Sequence, residues 1–304
     1  MSVLSLVRLW NNFFFREQSP IPIALFRIFY GTLVVITLAL LRPDWLSWYG
    51  VHSWVSLPTA LKLEPGPRLN LFSVIPQNDA WIGALFWFAL TSALFLTFGL
   101  FTRINSVFVF LCLTSIQQRN LYILHGGDTF LRLAGFFLIF APAGAALSLD
   151  RRIRIWRGKE SHTLQLQSPW AQRMIQLQLS LVYLSAFLIK LKGAPWVQGT
   201  ALFYIYHLDE FRRFPLPSWF FRPTVLKLGT WSALLLECSL GVLIWVRKLR
   251  YYVLGLGLLF HLWLDYSLNI PLFQWDILSA YVLFVDADDL SHIWSRMRGR
   301  LRSH

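Results

Sequence analysis

Acidic residues are scarce in this 304-residue chain: 15 Asp and Glu stand against 28 Lys and Arg, and only 14% of positions are charged. So little charge is unlike an average soluble domain, in which about a quarter of residues carry one. Cysteine is almost missing too. Cys112 and Cys238 both sit inside apolar runs, where a thiol serves as a small hydrophobe, so neither reports a redox compartment. No tandem repeat or low-complexity linker interrupts the chain, which is expected to form one domain over 1–304. A tight metal-ligand motif is also absent, so no metal site is expected. The N-terminal run lacks a small-residue cleavage site, and the first span is expected to act as its own signal.

Apolar and aromatic residues fill the chain instead. It is 56% hydrophobic, holds 15 Trp and has a mean hydropathy of +0.51, the composition of an all-α, polytopic helical membrane bundle. The net charge of +13 does not indicate nucleic acid, because the basic residues sit in short segments between apolar runs and serve as topology signals. Runs near the ~20 residues that a bilayer requires recur at about 21–41, 80–101, 104–124, 128–149, 169–190, 225–246, 250–267 and 270–286, which predicts about eight spans. Residues 1–19 mix Leu, Trp and Phe with Arg and Asn and read as an interfacial helix. Segments 42–77 and 195–223, rich in Pro and Trp, read as structured outer loops, the second also a candidate re-entrant loop whose backbone must then be covered by protein. Fifteen Lys and Arg fall on the side of the N-terminus and seven on the other, which places both termini in the cytoplasm of a bacterial membrane. Residues 287–304 read as a basic cytoplasmic tail drawn to anionic lipid.

Polar groups inside such runs need partners. In LVYLSAFLIKLKGAPWVQGT, residues 181–200, Lys190 closes an apolar helix, where a lysine must reach the interface, pair with an anion or lose its proton. Gln172, Gln176, Tyr183 and Lys190 share a helical face, so that stripe should meet protein. His261 and Asp265, spaced i,i+4, form a candidate acid-base pair, and His125 with Asp128 another. Arg119, Asn120 and Glu237 are further intramembrane polar candidates. As purely structural groups, Arg119 would pair with Asp128 and Glu237 with a neighbouring cation. Burial favours a deprotonatable lysine as base, a role arginine could not fill.

The strings RNLYILHGGDTFLRLAGFFLIFAPAGAALSLD at 119–150, LVYLSAFLIKLKGAPWVQGTAL at 181–202 and FHLWLDYSLNIPLFQWDILSAYVLF at 260–284 resemble the HTTM domain, shared with vitamin K-dependent gamma-carboxylase. The resemblance implies that Lys190, followed by Trp196 and Gly199, matches the lysine that deprotonates a reduced naphthoquinone. Reduced menaquinone or a relative is then the expected cofactor, with His261, Asp265, His125 and Asp128 assisting proton movement and Tyr183, Trp196, Arg119, Asn120 and Glu237 shaping its pocket. No part of residues 1–304 is expected to correspond to the large C-terminal domain of the carboxylases, and His125-Gly126-Gly127-Asp128 departs from their Asn-Asn-His-like sequence. Two functions follow as expectations: a quinol-dependent, carboxylase-like enzyme, or a non-catalytic component that binds lipid, an exported peptide or a separate soluble partner. No inverted repeat supports a transporter.

Overall fold

The computed structural model describes residues 3–63, 66 and 68–290. The expected basic tail therefore lies, from 291 onward, outside the described residues. The described chain is helical, without a strand; two isolated bridges, Gln18 with Gln167 and Arg212 with Leu268, are its only extended pairings. It divides into two compact units, one formed by residues up to Ile175 and from Asp286 onward, the other by Gln176–Val285.

In the first unit, α1 (Val3–Phe15) exposes Leu4, Leu6, Leu9 and Trp10, an apolar surface that the protein leaves uncovered. Its end is held by Arg173, whose Nε donates to the Phe13 carbonyl at 3.2 Å while the guanidinium lies 5.1 Å from the Phe13 ring. Pro22 starts α2 (Ile21–Leu41), and Ile23, Phe26, Arg27, Tyr30, Val34 and Leu38 form its buried face at helical spacing. The loop after it carries two short helices, α3 (Trp45–Tyr49) and α4 (Leu57–Leu63). Trp45 pins this loop by donating to the Ile82 carbonyl at 3.0 Å, and Tyr49 stacks on Phe72 at 5.3 Å. Asn78 caps α5 (Asp79–Phe98), which packs on α2 and on α6 (Thr102–Arg119); α6 in turn packs on α7 (Gly126–Phe140). The unit continues into α8 (Leu149–Trp156).

Arg27 is fully buried, and its partners are backbone carbonyls, not an acid: Ala143 at 2.8 Å, Leu147 at 2.6 Å and Thr97 at 3.4 Å. The turn beside it needs glycine. Gly99 ends α5 at φ +69°, and a Cβ there would lie 2.5 Å from both Arg27 Nη1 and Ser148 Cβ.

The second unit begins within α9 (Trp170–Leu191) and contains α10 (Ala194–Val197), α11 (Ala201–Tyr206), α12 (Pro223–Val242), α13 (Arg250–Ser267) and α14 (Phe273–Ser279). The 195–223 segment is structured as expected. Tyr206, Phe220, Leu226 and Leu268 form its core, and the Tyr206 hydroxyl bonds Ser267 Oγ at 2.9 Å and accepts from Trp263 Nε1 at 3.2 Å.

Among the described residues, four helical segments are long and apolar enough to cross a bilayer: Ile21–Leu41, Asp79–Phe98, Trp170–Leu191 and Pro223–Trp245. The other four expected spans fall short for separate reasons. The α6 helix buries Asn105, Gln117 and Arg119; α7 has 15 residues, about 22 Å at 1.5 Å each, and ends at Ala141 before Pro142. The α13 helix carries His261 and Asp265, and the last run breaks into the seven-residue α14 and a 3₁₀ turn at Ala280–Phe284.

Candidate functional site

Lys190 closes α9, and its ammonium meets Glu237 Oε1 of α12 in an ion pair. Glu237 is the more buried partner, with a side chain 7% exposed against 25% for Lys190. The chain then doubles back. Gly193 N–H bonds the Lys190 carbonyl at 3.0 Å, α10 follows at once, and the Trp196 ring comes to 4.7 Å from the Lys190 ammonium. Trp231 fastens this turn to α12 by donating to the Val197 carbonyl at 3.1 Å. The spacing Lys190 to Trp196 thus has a physical content: it returns an aromatic face to the lysine that ends the helix.

Glu237 Oε2 is buried and has no hydrogen-bond partner among the described residues. A carboxylate oxygen left so costs free energy unless something donates to it. The other oxygen of the same carboxylate holds the ammonium that lies over the Trp196 ring.

Next to this pair lies a chain of four buried side chains. Gln274 Oε1 lies 2.5 Å from His261 Nδ1, His261 Nε2 lies 2.6 Å from the Tyr183 hydroxyl, and that hydroxyl lies 2.7 Å from the Tyr281 hydroxyl. An amide oxygen only accepts, so His261 Nδ1–H donates to Gln274 and Nε2 accepts from Tyr183. Tyr183 in turn accepts from Tyr281. Gly257, one turn before His261, makes room: a Cβ there would collide with the Tyr281 hydroxyl. Tyr183 and Lys190 stand two turns apart on α9, so the chain and the ion pair are carried by the same helix.

Asp265 does not join it. The expected His261–Asp265 pair is replaced by Asp265 with Arg213, whose Nη1 reaches Oδ1 at 3.2 Å and the Asp265 carbonyl at 2.9 Å. The ring of His261 is already committed at both nitrogens. Of the stripe expected on α9, Gln176 and Tyr183 are buried in this unit, with Gln176 donating to the Leu283 carbonyl at 2.6 Å. Gln172, also buried, belongs to the first unit.

His125, Asp128, Arg119 and Asn120 likewise belong to the first unit. His125 and Asp128 form a capping box at the start of α7: Gly127 N–H donates to His125 Nδ1 and His125 N–H to Asp128 Oδ2, both at 3.0 Å. Arg119 is paired with the loop between α3 and α4 and not with Asp128, donating to Val55 O at 2.7 Å and Ser53 Oγ at 3.0 Å. Burial, then the charge of Asp128, raises the Tyr49 hydroxyl above its ordinary value, while Arg119 acts the other way. Asn120 is buried at the end of α6. Tyr281 and the loop partners of Arg119 escaped the sequence reading; a tyrosine seven residues after Gln274, on its helical face, was the available signal for the first.

The model of the HTTM domain matches residues 15–288. This chain belongs to the HTTM family. One relative is the sporulation-delaying protein SdpB of Bacillus subtilis (strain 168), 26% identical over 276 residues that cover 86% of this chain and 80% of SdpB. No solved structure matches the HTTM chain. The family match spans both units and includes Lys190, Glu237 and the Tyr183–His261–Gln274 chain.

Proposed function

We propose that this HTTM protein is a multi-pass membrane enzyme whose Lys190–Glu237 pair receives the proton of a weakly acidic hydroxyl on a flat apolar ligand. The single observation that supports it is the buried Glu237 oxygen with no described partner, next to the Lys190 ammonium and the Trp196 face. A structural ion pair gains nothing from leaving that oxygen open. A reduced naphthoquinone such as menaquinol fits this donor set, since its hydroxyl satisfies the open oxygen and its rings suit the indole; with oxygen it supplies a strong base. Glu237 would hold the hydroxyl and accept the proton of the Lys190 ammonium, the amine so freed would take the hydroxyl's proton, and Tyr183 would pass the change in charge to His261. In this reading α6, α7, α13 and the broken run over 270–286 also cross the bilayer, their polar faces covered by protein, which makes eight spans and leaves both termini cytoplasmic.

A second reading has its own support: Lys190 and Glu237 already answer one another's charge within the protein. The pair is then structural, and the protein is a non-catalytic component that serves an exported peptide or a separate partner, a role compatible with kinship to a sporulation-delaying protein. One experiment separates the two. Purified wild type, Lys190→Ala and Lys190→Arg are given reduced menaquinone, and binding and oxygen-dependent epoxide formation are measured. Epoxide from wild type alone supports the enzyme. Absence of both binding and epoxide, where a gamma-carboxylase reacts, rejects it.

A further inference from the structure

A second polar feature lies in the first unit and has no part in the site above. Between α2, the end of α5 and α8 is a cavity of about 680 Å³. One wall is apolar, with Ile28, Phe98 and Ile155; the other carries Arg151, Arg152 and His162, and no acid lines it. Ile28 lies seven residues inside the candidate span α2, about 10 Å from its start, so the apolar wall extends along the depth of a bilayer leaflet. The cationic wall stands at the helix ends.

The two arginines differ in commitment. Arg151 is held by Glu160 at 2.9 Å and by the His162 carbonyl at 2.9 Å. Arg152 is exposed, and its side chain makes no hydrogen bond or ion pair among the described residues. Glu160 is itself taken by Arg151 and Arg154. Asp150 is taken by Thr102 and the Phe101 N–H. A free cation thus stands over an apolar slot, with Trp156, 82% exposed, at the end of the same helix as expected at a headgroup boundary.

We propose that this cavity binds an anionic phospholipid, with its phosphate on Arg152 and His162 and an acyl chain along Ile28 and Phe98. A free phosphate would leave the apolar wall without a use, whereas a neutral lipid would leave Arg152 without one. The site is independent of the Lys190 chemistry and stands or falls separately.

The test uses full-length protein in detergent, with phosphatidylglycerol and phosphatidylcholine competing for retention as read by native mass spectrometry. Phosphatidylglycerol should be retained preferentially and should raise the unfolding temperature. Arg152→Gln should weaken that preference about fivefold, and Arg157→Gln, in the same basic stretch but outside the cavity, less than about twofold. Ile155→Trp, which fills the slot and leaves the charge unchanged, should also lose the lipid. Equal retention of the two lipids, equal losses in the two arginine variants, or full lipid binding by Ile155→Trp would overturn the site. Complete displacement by inorganic phosphate would make it a free-anion site and overturn the lipid assignment. Unfolding temperatures without lipid show that each variant is folded, and Arg152→Lys should retain most of the preference.

Discussion

Glu237 and Lys190 share one contact and leave one open: a single carboxylate oxygen holds the ammonium, while the other stays buried without a described partner. Their stability role and their chemical role can be taken apart. Glu237→Gln should cost roughly 1–3 kcal/mol in reversible unfolding, the range for a hydrogen bond to a charged group, because it strands the lysine. Lys190→Met combined with Glu237→Leu should recover most of that loss, as buried pairs replaced by apolar groups commonly do. The double variant should still be inactive in quinol oxidation. Recovered activity would show that the pair only supports the fold.

The Tyr183–His261 bond, 2.6 Å long, offers a second test. Tyr183→Phe removes the donor to His261 Nε2 and the acceptor for Tyr281, leaving two buried polar atoms unpaired. The expected cost is about 2 kcal/mol, and Tyr281→Phe should cost less, since Tyr183 still donates to His261. Comparable losses would mean that the chain runs in the opposite direction, with Gln274 presenting its amide NH₂ to the ring.

Gly99 predicts a backbone effect in the first unit. Gly99→Ala must adopt φ +69° and force Arg27 or Ser148 aside, so a loss of at least about 1–3 kcal/mol is expected in thermal or denaturant unfolding. Arg27→Lys should not substitute for the arginine, because one ammonium cannot reproduce a fork that reaches carbonyls of residues 97, 143 and 147.

Glu160 predicts a pH response outside the spans. Burial works against its ionisation, but hydrogen bonds from Arg154 and Arg151, with their charges, outweigh that and hold its carboxyl below the ordinary range. A depressed carboxyl contributes stability that is present above its unfolded value of about 4.3 and lost as pH falls through the folded value. Hydrogen exchange over residues 157–165 should therefore rise below about pH 4. Glu160→Gln should show fast exchange at neutral pH and little further change on acidification.

The helical fold, the lysine that closes α9 and its need for an anion were legible because they are local: a run of apolar residues, a charge at its end, a 3.6-residue period. Partners across the chain were not. Nothing near Asp265 in sequence announces Arg213, 52 residues earlier, and i,i+4 spacing made His261 the natural but incorrect choice. Tyr281 joins His261 only because Gly257 lets it approach. Only four of the eight expected spans stand out by length and hydropathy, because hydropathy and packing part company, as in α6, whose polar residues are buried against protein and whose sequence therefore reads as more water-loving than its surroundings require.

The clamp on Arg27 also sets a schedule. Its three acceptors are made 70, 116 and 120 residues later than the arginine itself. During synthesis the first long helix is therefore complete well before its charge can be answered, and it must wait in a wetter or more open position. Only after Leu147 has emerged can the arginine be sealed from water, so the first long helix of the unit is among the last to reach its final place.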